Sequence, residues 1–122
     1  DFAFCESGMI PWLLIWEFLS KRDMSLSELI TMKKNRFESS GEINFSIVNV
    51  DICIESVKRK LADKALKIDY FDGLSLTFAD WRFNLRKSNT EPLLRLNIET
   101  RGDLDLLQSK VKQMSELIKR FT

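Results

Sequence analysis

A chain of 122 residues, 44% hydrophobic and 30% charged, falls in the ordinary globular range and has room for one complete domain plus a fragment of another. Its 19 basic and 18 acidic residues leave a formal net charge of +1, which excludes a whole-chain field drawing in nucleic acid or an anionic membrane, so any anion site must be local. Two cysteines and no histidine exclude a disulfide framework, a cysteine–histidine zinc site and histidine-based nucleophile chemistry, and favour a reduced, cytoplasmic setting.

The first element is a helix from about residue 7 to 21, with Ser7 as its N-cap. Met9, Ile10, Trp12, Leu13, Leu14, Ile15, Trp16, Phe18 and Leu19 cover nearly its whole circumference, the pattern of a buried helix. Pro11, Glu17 and its shortness against the roughly 20 residues of a bilayer span exclude a membrane anchor. An acidic start at Asp1 and the lack of a small-residue cleavage site after the apolar run disfavour a secretory signal. Ser25 and Glu28 have capping-box spacing and open a short second helix to about Met32. These two helices cannot bury their own apolar surface, and residues 1–40 are therefore expected to be the tail of a larger upstream domain.

Glu38 to Gly41 reads as a linker, and residues 41–122 as a second domain. Ile43, Phe45 and Ile47 alternate with Asn44 and Ser46 as in a half-buried strand. Asp51 is placed to cap a helix whose apolar stripe is Ile54, Val57, Leu61 and Ala65, with Lys58, Arg59 and Lys60 turned to water. Lys67–Phe71 and Leu74–Phe78 flank Asp72-Gly73, the pair suited to a type I′ hairpin turn. After a tight turn at Ala79-Asp80, Trp81–Arg86 and Leu93–Glu99 form two more alternating strands. Gly102 then ends the sheet, and Asp103 caps a last helix with the stripe Leu104, Leu107, Val111, Met114 and Ile118. The expected class is α+β: an antiparallel four-stranded sheet with two helices on one face and an open polar face on the other. Phe71, Phe78, Trp81 and Phe83 are assigned to the core.

The chemistry concentrates in the loop between the last two strands. If Arg86 stands opposite Leu93 and Asn84 opposite Arg95, alternation puts Arg82, Asn84, Arg86, Arg95 and Asn97 on the open face, with Arg86 and Arg95 as diagonal neighbours. Two guanidiniums brought together repel, and a bound dianion resolves that repulsion. Ser88, Asn89, Thr90 and the loop amides add neutral donors that can form a concave nest, while Lys87 adds peripheral charge. Pro92 stiffens the exit. The same residues also suit an ordinary turn whose arginines pair with Glu91, Glu99 or Asp80. Composition and spacing favour neither account.

The run from 72 to 103, with WRFNLRKSNTEPLLRLN at 81–97 at its centre, resembles the C-terminal domain of the α-D-phosphohexomutases of the bacterial phosphomannomutase/phosphoglucomutase type. GEIN at 41–44 and DFAFCESGMIP at 1–11 share the likeness, which covers essentially the whole chain. The resemblance implies a four-domain enzyme, with this chain supplying the end of the third, α/β domain over 1–40 and the TATA-binding-protein-like fourth domain over 41–122. It implies phosphate binding by Arg86, Ser88, Asn89 and Thr90, with Arg95 in direct contact or just behind. The implied reaction interconverts mannose 6-phosphate and mannose 1-phosphate by intramolecular phosphotransfer, with glucose or glucosamine phosphates as alternative substrates. This part would hold the non-reacting phosphate and close the cleft. The phosphoserine and the magnesium site belong upstream, so this chain is expected to hold no catalytic residue, metal or cofactor and to be inactive alone. The expected partners are the phosphosugar and the upstream domains, with neither nucleic acid nor membrane. A nucleic-acid module using the open sheet face, or a protein-binding module using the apolar helix, are the rivals from other classes.

Overall fold

Two regimes of apolar patterning in the sequence become two compact units, Asp1–Lys33 and Lys34–Thr122, in the computed structural model, which describes residues 7–34 and 36–122. In the first unit, α1 spans Met9–Arg22 and stops where Asp23 turns left-handed at φ 47° and its N–H donates to the Leu19 carbonyl. The expected Ser7 cap is absent, because Gly8 occupies the cap position and makes no side-chain bond. None of the residues of α1 is buried, and Trp12 meets Trp16 edge to face at 5.2 Å on its surface. Helix α2, Leu26–Lys34, starts at the capping box: the Ser25 N–H donates to Glu28 Oε2 at 2.8 Å and the Glu28 N–H to Ser25 Oγ at 3.3 Å. Bonds from the Ser25 hydroxyl and N–H hold the Glu28 carboxyl below its usual range.

The second unit is an α+β domain. Its strands are β1 (Glu38–Ser46), β2 (Lys67–Asp69), β3 (Leu74–Thr77), β4 (Trp81–Lys87) and β5 (Leu93–Thr100), all antiparallel to their neighbours in the order β1-β5-β4-β3-β2. The sheet thus takes in all five strand segments read from the sequence, where the expected class counted four, and β1 begins inside the stretch read as a linker. Period-two alternation sends Phe45, Leu74, Leu76, Phe83, Leu85, Leu94, Leu96 and Ile98 to one face, where all are buried. Helices α3 (Val50–Leu61) and α4 (Leu104–Ile118) cover that face with Val50, Cys53, Val57, Leu107, Met114, Leu117 and Ile118. Each such side chain contributes roughly 1.5–3 kcal/mol on leaving water.

The helix starts differ in one instance. Asn49, not Asp51, caps α3, its side chain accepting from the Ile52 N–H at 3.1 Å, because the chain turns helical two residues earlier than Asp51. Asp103 caps α4 as expected, accepting from the Leu106 N–H at 2.8 Å. Leu104 stays exposed, and Leu117 takes its place in the stripe. Phe71, assigned to the core from sequence, is 98% exposed, whereas Phe78 and Phe83 are buried and Trp81 stacks on Phe78 at 4.4 Å.

Cys53 lies wholly inside the core as a free thiol, and burial pushes its pKa up, so little thiolate forms at neutral pH. Iodoacetamide labelling resolved by peptide mass spectrometry should leave Cys53 unmodified in the native chain and modify it in denaturant. Labelling of Cys53 at equal rates in both conditions would show that the core opens readily.

Candidate functional site

Strands β4 and β5 meet in a register two residues away from the expected one. Arg86 stands opposite Arg95, Asn84 opposite Asn97 and Arg82 opposite Glu99. A shift of two preserves the side-chain face, so the open-face set Arg82, Asn84, Arg86, Arg95 and Asn97 holds, but the arginines become a directly opposed pair. Down this one face the ladder runs from an opposite-charge pair, Arg82 Nε to Glu99 Oε2 at 3.4 Å, through paired amides to a like-charge pair. Like charges directly opposite destabilise a sheet. Within the β4–β5 ladder the Arg86–Arg95 pair therefore lacks a counter-charge and needs one from outside it.

Its position is fixed by the chain on both sides. Gly73, at φ +79°, packs against the backbone of β4: a Cβ there would overlap the Leu85 carbonyl oxygen and lie 2.8 Å from Arg86 Cα. The turn before it is not the expected two-residue type I′, since only Gly73 of the pair has positive φ. The Asp72 carbonyl instead accepts from Asn84 Nδ2 at 2.6 Å, and Asp69 Oδ1 accepts from the Phe71 N–H at 2.9 Å, so a wider loop is tied down to β4. The bond from the Phe71 N–H, with Lys67 beside it, holds the Asp69 carboxyl below its usual range.

On the far side, β1 brings a residue that the sequence did not single out. A bulge between Ser39 and Glu42 shifts the β1–β5 register, with Gly41 at φ +65° and Ser40 Oγ accepting from the Ile98 N–H at 2.9 Å in place of a ladder bond. The extra residue turns Glu42 to the open face while Phe45 keeps its place in the core. Glu42 Oε2 lies 2.7 Å from an Arg86 terminal nitrogen and Oε1 lies 3.5 Å from Arg95 Nε. Glu91, on the loop, lies 3.3 Å from a terminal nitrogen of Arg95. Alternation about Ile43 and Phe45 could have placed Glu42 on this face, but the neighbour of β1 is a long-range property that local pattern does not carry.

The loop residues are disposed unevenly. Ser88 is 7% exposed, its N–H donating to the Leu93 carbonyl at 2.9 Å and its Oγ accepting from the Glu91 N–H at 3.3 Å, so it shapes the loop from within. Asn89 and Thr90 are exposed at the tip. Lys87 points to Asp51 Oδ2 at 3.5 Å. A concavity of about 610 Å³ lies over the open face, bordered by Glu42, Phe71, Asn84, Arg86, Arg95 and Asn97, a size within the usual ligand range. Ser88, Asn89 and Thr90 lie beyond its lining. Among the described residues no three acidic, histidine or cysteine side chains group to hold a metal, and no helix is long and apolar enough to cross a membrane.

A single α+β domain with an arginine pair at one end of its open sheet face is the class this geometry defines. The sequence profile of the phosphoglucomutase/phosphomannomutase C-terminal domain matches residues 42–117, and the chain belongs to that family. It is similar to a phosphomannomutase of Vibrio cholerae serotype O1, 49% identical over 122 residues, and to one of Escherichia coli K12, 47% identical over 118. A protein of Xanthomonas campestris pv. campestris described as phosphohexose mutases is 47% identical over 119 residues. These alignments take in 97–99% of this chain but only 26–27% of each relative, so the chain spans about a quarter of their length. A crystal structure of a phosphoglucomutase/phosphomannomutase family protein from Burkholderia thailandensis covers 66% of this chain and 18% of its own, at 24% identity and a TM-score of 0.49.

Proposed function

We propose that this chain is the phosphate-gripping end of a phosphohexomutase, in which Arg86 and Arg95 hold the phosphate of a hexose phosphate that is not reacting. The observation that carries this is the direct opposition of the two arginines at the loop end of the open sheet face. Two guanidinium forks a few ångströms apart match a phosphate monoester, whose oxygens accept bidentate bonds from one or both. Asn89 and Thr90 at the exposed loop tip add neutral donors, and Ser88 sets the loop shape from which they reach.

In the whole enzyme, residues 41–122 form the fourth domain and residues 1–40 end the third, whose body covers the apolar surface of α1. Mannose 6-phosphate and mannose 1-phosphate are the proposed substrates, and glucose or glucosamine phosphates the alternative. The relatives described as phosphomannomutases support the former. Phosphoryl transfer belongs to a phosphoserine and magnesium carried upstream; the side chains here bind and orient. Energy collected at the remote phosphate fixes the reacting hydroxyl and draws the cleft shut. A cytoplasmic setting agrees with a buried, unpaired Cys53.

The test is a ¹⁵N–¹H titration of the chain with mannose 1-phosphate, glucose 6-phosphate, inorganic phosphate and a short oligonucleotide. Shifts confined to residues 86–95 with the phosphate compounds, even at millimolar affinity, are the expected result. Shifts spread along the open sheet face with the oligonucleotide alone would replace the proposal with the nucleic-acid module.

A further inference from the structure

The arginine pair is already answered from within. Glu42 spans it, one carboxylate oxygen 2.7 Å from Arg86 and the other 3.5 Å from Arg95 Nε, and Glu91 approaches Arg95 from the loop. Two guanidiniums and two carboxylates sum to zero formal charge, a poor reception for a dianion. Arg95 Nε is moreover buried and without a hydrogen-bond partner among the described residues; Glu42 lies within ion-pair range of it but too poorly placed to bond. A buried donor left unbonded costs stability, and an acceptor that came closer would satisfy it. The side chain standing over that donor is Glu42.

From this we infer that Glu42 is an internal counter-ligand, whose carboxylate occupies the bridging place between Arg86 and Arg95 and for which an incoming phosphate must exchange. The inference rests on the phosphate-binding reading of the pair and adds to it a residue that sets which anions enter. When Glu42 swings aside, Arg95 Nε is uncovered and the pair regains its full charge. Only an anion that bonds both forks and carries more than one charge compensates for the lost contacts with Glu42. Phosphate and its monoesters meet that condition, and acetate or chloride do not. Glu42 is suited to this exchange because it is on the β1 strand beside β5 and is part-exposed, so its side chain can turn to solvent while the strand stays in register.

The experiment compares the chain with its Glu42→Gln form, which keeps size and a hydrogen-bond acceptor but removes the charge. Dissociation constants for inorganic phosphate and for acetate are read from amide and arginine Nε–H shifts, with far-UV circular dichroism as the check on folding. Glu42→Gln should bind phosphate about three- to ten-fold more tightly, with a smaller gain for acetate, because a charge a few ångströms from the anion has been removed. If the unaltered chain binds phosphate and Glu42→Gln binds it equally or less tightly, Glu42 positions the arginines and the exchange is refuted, while the phosphate site stands. If both forms ignore phosphate, the site itself is refuted and the exchange with it. Binding by Glu42→Gln alone would support both, with Glu42 as the barrier.

Discussion

On the proposed phosphate-gripping role, replacement of Arg86 by alanine should lower kcat/KM of the whole enzyme for a hexose phosphate by about a hundred-fold or more, with kcat falling as well as KM rising. Hydrogen bonds to charged groups are worth about 1.5–3 kcal/mol each, and about 2.7 kcal/mol corresponds to a hundred-fold in rate. The loss exceeds that of one contact, because Glu42, no longer shared, remains beside Arg95 as an uncompensated competitor. Energy gathered at a non-reacting phosphate orients the reacting one, so turnover suffers along with affinity. Arg86→Lys should recover only part of the loss, a point charge being unable to present two parallel N–H bonds. Lys87→Ala is the control and should cost little, since Lys87 is mostly exposed and directed at Asp51. An Arg86→Ala enzyme of unchanged kcat/KM would show the pair to be a structural ornament of the sheet.

The second large effect should be on folding. Gly73→Ala is expected to destabilise the chain by about 2–5 kcal/mol in urea denaturation. A left-handed backbone costs a non-glycine residue about 1–2 kcal/mol, and forcing atoms into a filled space typically about 1–3 more. Gly41 supplies the comparison: its φ of +65° is similar, but a Cβ there meets nothing within 4 Å. Gly41→Ala should therefore show only the backbone share, about 1–2 kcal/mol. Equal costs at the two positions would mean that the loop before β3 does not press on β4. Against a total stability of about 5–15 kcal/mol, the Gly73 effect is large enough to shift Arg86 in whatever chain still folds.

These effects hang on features that the sequence disclosed to different depths. Strand membership in β4 and β5 was legible, because strict alternation leaves no other way to bury Phe83, Leu85, Leu94, Leu96 and Ile98 together. Register was not, since it depends on how far the ladder extends into the loop: β4 runs on through Lys87, which pairs with Leu94. Arg86 and Arg95 nonetheless stand on the expected face, because side chains repeat every two residues and the slip was two. Asp72-Gly73 announced a turn, but a local bond from the Phe71 N–H to Asp69 and a tertiary one from Asn84 to the Asp72 carbonyl shape it. Phe71 misled for a related reason: aromatic character signals burial on average, and the widened loop holds this ring out to water. The family motif pointed to Arg86, Ser88, Asn89, Thr90 and Arg95. It gave no sign that the arginines would face each other or that Glu42 would lie across them, because the pairing of β1 with β5 is a long-range property.

The order of strands also sets a sequence of events in time. Arg86 and Arg95 meet in a hairpin closed by a short loop, whereas Glu42 arrives with β1, which is tied to β5 by a bond between residues 58 positions apart, Ser40 and Ile98. Closing a short loop costs less entropy than closing a long one, and contacts local in sequence form first. The hairpin is therefore expected to bring the two arginines together with Glu91 as their first counter-charge, and β1 to add Glu42 as the second when it docks.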